Sequence, residues 1–117
     1  MALDDKDAPR VLAGDIGGTK TRMGLFAPGK TRPVLKTEQT FPSASYSNPE
    51  SIIEEFLAGQ SAPVSGACLG IAGPVAGGRS RTTNLPWTVS EGRLCRKFGW
   101  SNVRLVNDLV ATALSVD

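Results

Sequence analysis

Hydrophobic and polar residues alternate in the first third of this chain and recur at helical spacing further along. Val11, Leu12 and Ala13 form a short apolar run that ends in Gly14-Asp15-Ile16-Gly17-Gly18-Thr19, and a second run carries Met23, Leu25 and Phe26 at or near alternate positions. Two such runs separated by Gly-Gly predict a β-hairpin over 11–26, with the glycines supplying the φ > 0 conformations of a tight turn. Pro28-Gly29-Lys30 reads as a turn, and the Thr-rich stretch 34–41 as a third, partly exposed strand. A Ser/Pro loop over 42–48 follows.

Pro49–Ala58 is the clearest helix. Asn48 suits the N-cap, Pro49 the first helical position and Glu50 the positive first turn, while Gly59 stops it. Ile52, Ile53, Phe56 and Leu57 share one face, leaving Glu50, Glu54 and Glu55 towards solvent. The stretch 66–72 is apolar on both sides, as a central strand covered on both faces would be. A turn-rich excursion over 73–78 leads to a short strand at 79–83 and a loop at 84–87. Ser90 caps a second helix reaching about Phe98, with Leu94, Cys95 and Phe98 inward and Gly99 ending it. Gly92 inside it costs about 1 kcal/mol against Ala. A strand over 102–106 ends at Asn107-Asp108, after which Leu109, Val110, Ala113 and Leu114 repeat at helical spacing.

This order predicts an α/β fold. The first three strands are antiparallel neighbours, and strands alternating with helices then pair in parallel through right-handed crossovers, giving a mixed sheet with helices on both faces. Residues 1–9 read as a flexible tail and 10–117 as one unit. With 117 residues there is room for one hydrophobic core.

Composition narrows the chemistry. A net charge of +2 from scattered basic residues argues against a nucleic-acid partner. The absence of His excludes His-based catalysis in this chain, and Cys68 and Cys95 alone make a structural zinc site improbable. They read as reduced, packed thiols. The acidic start is no signal peptide, and no run approaches the roughly 18 apolar residues of a membrane helix, so the expected setting is cytoplasmic with no membrane partner.

Candidate chemistry gathers at three places. In the hairpin turn, two residues without Cβ let an anion approach bare N–H groups, and Thr19 adds a hydroxyl donor. Asp15 places a carboxylate where Mg²⁺ or its waters would sit beside a phosphate. No G-x-x-x-x-G-K-[ST] is present, and a strand rather than a helix follows. The bland alternative is an ordinary hairpin with Asp15 helping to cap its turn. In V-R-L-V-N-D-L-V (103–110), Asp108 stands at a strand's carboxyl end beside a helix start, where open α/β sheets place ligands. A carboxylate there can take the proton of an attacking hydroxyl in phosphoryl transfer. Asp108 is equally suited to be the N-cap of a helix over 109–115, and one residue can be both. Third, L-G-I-A-G-P-V (69–75) and T-N-L-P-W (83–87) offer Gly70, Gly73 and Pro74 for close approach or a sharp turn. Asn84 and Trp87 offer an amide and a ring for a sugar, though Trp87 also suits packing.

The string G-D-I-G-G-T-K-T-R resembles the first phosphate-binding hairpin of the superfamily of sugar kinases, actin and heat-shock chaperone ATPases. Gly-Gly-Thr with a nearby Arg, the N-D pair, G-I-A-G-P and T-N-L-P-W together resemble the bacterial glucokinases and related ROK sugar kinases over about residues 11–113. The resemblance implies a ribonuclease H-like (actin-like ATPase) half-fold and, in the intact enzyme, ATP-dependent phosphorylation of glucose at its 6-hydroxyl for glycolysis. It implies Gly14, Asp15, Ile16, Gly17, Gly18 and Thr19 around ATP, and Asp15 on Mg²⁺ through water. Asn107 and Asn84 become sugar ligands, and Asp108 both binds the sugar and acts as general base. Lys20 stands where some glucokinases have Asn, which also fits the ROK branch. A kinase for fructose, mannose or an N-acetylhexosamine therefore stays open, as does a non-catalytic sugar- or nucleotide-binding relative. The same resemblance makes this chain part of the N-terminal lobe of a two-lobed enzyme, nearly inactive alone, and leaves a homodimer open.

Overall fold

The computed structural model describes residues 9–28, 31, 33–60, 62–71, 74–81 and 87–107. Strands β1 (Arg10–Ile16), β2 (Lys20–Ala27) and β3 (Val34–Pro42) lead through a 3₁₀ turn at Ser43–Ser45 into α1 (Pro49–Ala58). Then come β4 (Val64–Ile71), β5 (Arg79–Arg81), β6 (Thr88–Ser90), α2 (Glu91–Phe98) and β7 (Asn102–Asn107). Five strands form one sheet in the order β3-β2-β1-β4-β7, and β5 pairs with β6 in a separate ribbon. The β1–β2 and β2–β3 pairs are antiparallel, whereas β1–β4 and β4–β7 are parallel. This is the mixed sheet expected from the alternation of strands and helices.

Local chemistry accounts for both helices. The Asn48 side chain accepts a hydrogen bond from the Ser51 N–H at 2.8 Å, with Pro49 directly after it. The Ser90 hydroxyl oxygen accepts from the Arg93 N–H, and α2 ends on Gly99 at φ +73°, a left-handed conformation that a side chain disfavours. Ile52, Ile53 and Phe56 of α1 and Leu94 of α2 join one core cluster. The sheet residues in that cluster, including Leu12, Ile16, Leu69, Ile71, Val103 and Leu105, belong to a single face by register. Both described helices thus cover one face. The opposite face carries exposed Val11 and Asp15, with half-buried Ala13 and Cys68 between them along the pairing. The helix expected over 109–115, the candidate for that second face, lies outside the described residues.

Two expectations need correction. Glu50 does not turn to solvent: it is 8% exposed, and its carboxylate takes a 2.6 Å hydrogen bond from Arg93 Nε. Arg93 also donates to the Thr88 carbonyl, so one guanidinium of α2 ties α1 to the start of β6. The second correction is β6, where the sequence suggested only a loop running into a helix. Three residues are too few to display a period, and β6 exists because it pairs with β5.

Among the described residues β7 is an edge strand of the sheet. Its Leu105 N–H is met by the Glu91 carboxylate at 2.8 Å, which occupies a donor the sheet leaves open. Cys68 and Cys95 are both free thiols. Among the described residues no helix is long and apolar enough to cross a membrane.

Candidate active site

Three parallel strands end at one edge of the sheet. Ile16 pairs with Ile71, and Ile71 with Asn107, so β1, β4 and β7 finish at the same level. Two inter-strand steps separate Ile16 from Asn107, about 10 Å at ordinary sheet spacing. The Gly-Gly turn and the Asn107 end of β7, far apart in the chain, therefore leave the sheet side by side. Ligands of open α/β sheets bind at the carboxyl ends of strands.

The turn Gly17-Gly18-Thr19 is closed by the Gly17 N–H donating to the Lys20 carbonyl at 3.0 Å. Its glycines are not required for the reason the sequence suggested. Among the described residues the glycines with positive φ are Gly77, Gly78 and Gly99, so neither Gly17 nor Gly18 uses that freedom. Space is the requirement at Gly17: a Cβ there would lie 2.9 Å from the Lys20 carbonyl oxygen. Thr19 is exposed and Gly18 half-buried, so the turn is open to a ligand.

The other candidates in the hairpin divide by strand parity. Ile16 is 1% exposed, with its side chain in the core. Gly14 is packed so closely that a Cβ would come within 2.7 Å of Leu69 Cδ2 and Met23 Sδ. Both hold β1 in place, and only their backbone is left to serve a ligand. Asp15 is exposed and stands opposite Arg22 in the β1–β2 register. Among the described residues no group of three or more His, Cys, Asp or Glu could hold a metal. A single carboxylate still suits Mg²⁺, which takes one or two carboxylates and completes its shell with water and substrate phosphates.

Asn107 is exposed at the end of β7. Asp108, Asn84 and Gly73 lie outside the described residues. Trp87 is only 1% exposed, and its indole N–H donates to the Tyr46 carbonyl at 3.2 Å. Of its two readings the packing one holds, because a ring closed off from solvent offers no face to a sugar.

Two residues escaped sequence reasoning. Ser43 donates its hydroxyl to the Gly17 carbonyl at 2.8 Å, and Thr21 Oγ1 lies 2.8 Å from Ser43 Oγ. Thr21 carried a usable signal, since it shares strand parity with buried Met23 and Leu25. A serine inside a Ser/Pro loop carries none. Two groups away from this edge have shifted titrations. Burial pushes the Cys68 thiol up against the opposing pull of Arg104, and its hydrogen bond to Glu55 raises the Tyr46 hydroxyl.

The strand order, the open glycine turn ending β1 and the shared carboxyl edge define half of an actin-like ATPase fold. A crystal structure of glucokinase from an Antarctic psychrotroph superposes with a TM-score of 0.78 at 27% identity, covering 97% of this chain and 35% of that one. A candidate N-acetylmannosamine kinase from Listeria monocytogenes gives a TM-score of 0.60 at 25% identity, over 85% of this chain and 35% of that one. In sequence, the glucokinase of Synechocystis is 37% identical over 90% of this chain and 33% of its own length. That of Caulobacter vibrioides is 38% identical over 89% of this chain and 32% of its own. The family model described as Glucokinase matches residues 12–117, and the chain belongs to the glucokinase family. It spans about a third of the length of the curated relatives it matches.

Proposed function

We propose that the full-length protein transfers the γ-phosphoryl group of ATP to the 6-hydroxyl of glucose, and that residues 10–117 belong to its N-terminal lobe. The observation that carries this reading is the register joining Ile16, Ile71 and Asn107, which aligns the hairpin turn with the end of β7. Phosphoryl transfer needs little covalent chemistry from a protein and depends on positioning and charge stabilisation. Gly17, Gly18 and Thr19 offer N–H and hydroxyl donors to the phosphates, and Asp15 offers a carboxylate on the Mg²⁺ side. Mg²⁺, when bound, disperses charge on the phosphates. Asn107 and Asn84 hydrogen-bond sugar hydroxyls. Asp108 accepts the 6-hydroxyl proton as that oxygen bonds to the γ-phosphorus, the bond from phosphorus to the β–γ bridging oxygen breaks, and ADP leaves. The product is the phosphorylated hexose that glycolysis consumes, and the cytoplasm is the compartment that supplies ATP.

A second reading keeps the chemistry and changes the sugar. It is favoured by the structural likeness to the candidate N-acetylmannosamine kinase. A panel of glucose, fructose, mannose, N-acetylglucosamine and N-acetylmannosamine, assayed with MgATP on the full-length protein, separates the two. Glucose is expected to have the highest kcat/KM, with phosphate on its 6-oxygen. A higher value for another sugar would shift the assignment to that sugar, and no turnover with any of them would remove the kinase reading.

A further inference from the structure

We propose that Ser43 and Thr21 form a buried hydroxyl relay that sets the conformation of the Gly17-Gly18-Thr19 turn for phosphate binding; this rests on the reading of that turn as the ATP-phosphate cradle. Both residues are fully buried, at 0% exposure. The single hydroxyl proton of Ser43 goes to the Gly17 carbonyl at 2.8 Å, so the 2.8 Å contact between Ser43 and Thr21 is a hydrogen bond donated by Thr21. The Ser43 N–H donates to the Thr19 carbonyl at 3.0 Å. One residue outside the hairpin thus holds two carbonyls of the turn.

Peptide planarity converts those holds into a direction. No peptide bond among the described residues is cis, so the Gly18 N–H points opposite to the Gly17 carbonyl. Drawing that carbonyl inward to Ser43 aims the Gly18 N–H away from the core. The Ser43 hold on Thr19 does the same for the Lys20 N–H. Because neither glycine uses positive φ, the turn is not shaped by the glycines' own conformational preference. The ties from Ser43 join the turn's own Gly17–Lys20 bond in setting it, and donors fixed in advance stabilise charge without reorganising when the ligand arrives. Ser43 and Thr21 are therefore positioning residues, acting through backbone N–H groups that would touch the phosphates.

The test uses the full-length enzyme and reads KM for ATP, KM for glucose, kcat and Tm. Ser43→Ala removes both hydroxyl bonds, of which the one to the Gly17 carbonyl holds the turn directly, and is expected to raise KM for ATP about tenfold with KM for glucose within about twofold of wild type. Thr21→Val, which keeps shape and removes the hydroxyl, is expected to raise it about threefold, and Thr21→Ser to restore it. Thr19→Ala is the reference for the cradle itself. If Thr19→Ala raises KM for ATP while a folded Ser43→Ala leaves it unchanged, the relay is overturned and the cradle stands. If neither variant changes it, the cradle reading fails and the relay with it. Should Ser43→Ala fail to fold, the Thr21 pair decides: equal KM for ATP in the Val and Ser variants at equal Tm overturns the relay, and a difference supports it.

Discussion

If the proposed function holds, replacing Asp108 by alanine in the full-length protein is expected to lower kcat by about 10²–10⁴-fold while glucose binding, followed by calorimetry, stays measurable. That range is what a positioned general base contributes to proton transfer. The rival role of Asp108, capping a helix that begins at 109, predicts something different. Loss of a cap costs about 1 kcal/mol of stability, and asparagine caps as well as aspartate does. Asp108→Asn therefore separates the two: it keeps the cap and removes the base. Turnover close to wild type in Asp108→Asn would leave Asp108 as a cap alone.

The second large effect is structural. Trp87→Ala is expected to cost about 3–5 kcal/mol, read as a lowered midpoint of urea unfolding. The indole is 1% exposed within the cluster that joins both helices to the sheet, and its N–H satisfies the Tyr46 carbonyl. Trp87→Phe should lose less stability and leave KM for glucose within about twofold of wild type, since phenylalanine retains most of the buried ring. A large rise in KM for glucose in Trp87→Phe at unchanged stability would contradict the packing assignment.

What the sequence made legible was local or periodic. Asn48-Pro49-Glu50 encodes the start of α1 within three residues, and Ser90 and Gly99 bracket α2 in the same way. Strand alternation and the Gly-Gly turn were enough for the hairpin, and the alternation of strands with helices for the mixed sheet. The features missed depend on partners distant in the chain. Burial of Glu50 needs Arg93, and the hold on the turn needs Ser43 beside Gly17, neither of which leaves a periodic trace. The glycines of the turn were legible as glycines, but not the reason for Gly17: an approach to the Lys20 carbonyl in place of positive φ.

The candidate site was legible to a different degree. Motifs at 14–19 and around Asn107 could be picked out singly, but their convergence is a property of register. The pairing Ile16–Ile71–Asn107 follows from how β1, β4 and β7 align, which no single stretch of the chain records.

That convergence is tested most directly by amide NMR of the ¹⁵N-labelled full-length protein. Adding a non-hydrolysable MgATP analogue should move the resonances of Gly17, Gly18 and Thr19, and adding glucose should move Asn107. The contradicting result is saturable binding of the nucleotide analogue that leaves all three turn amides where they were.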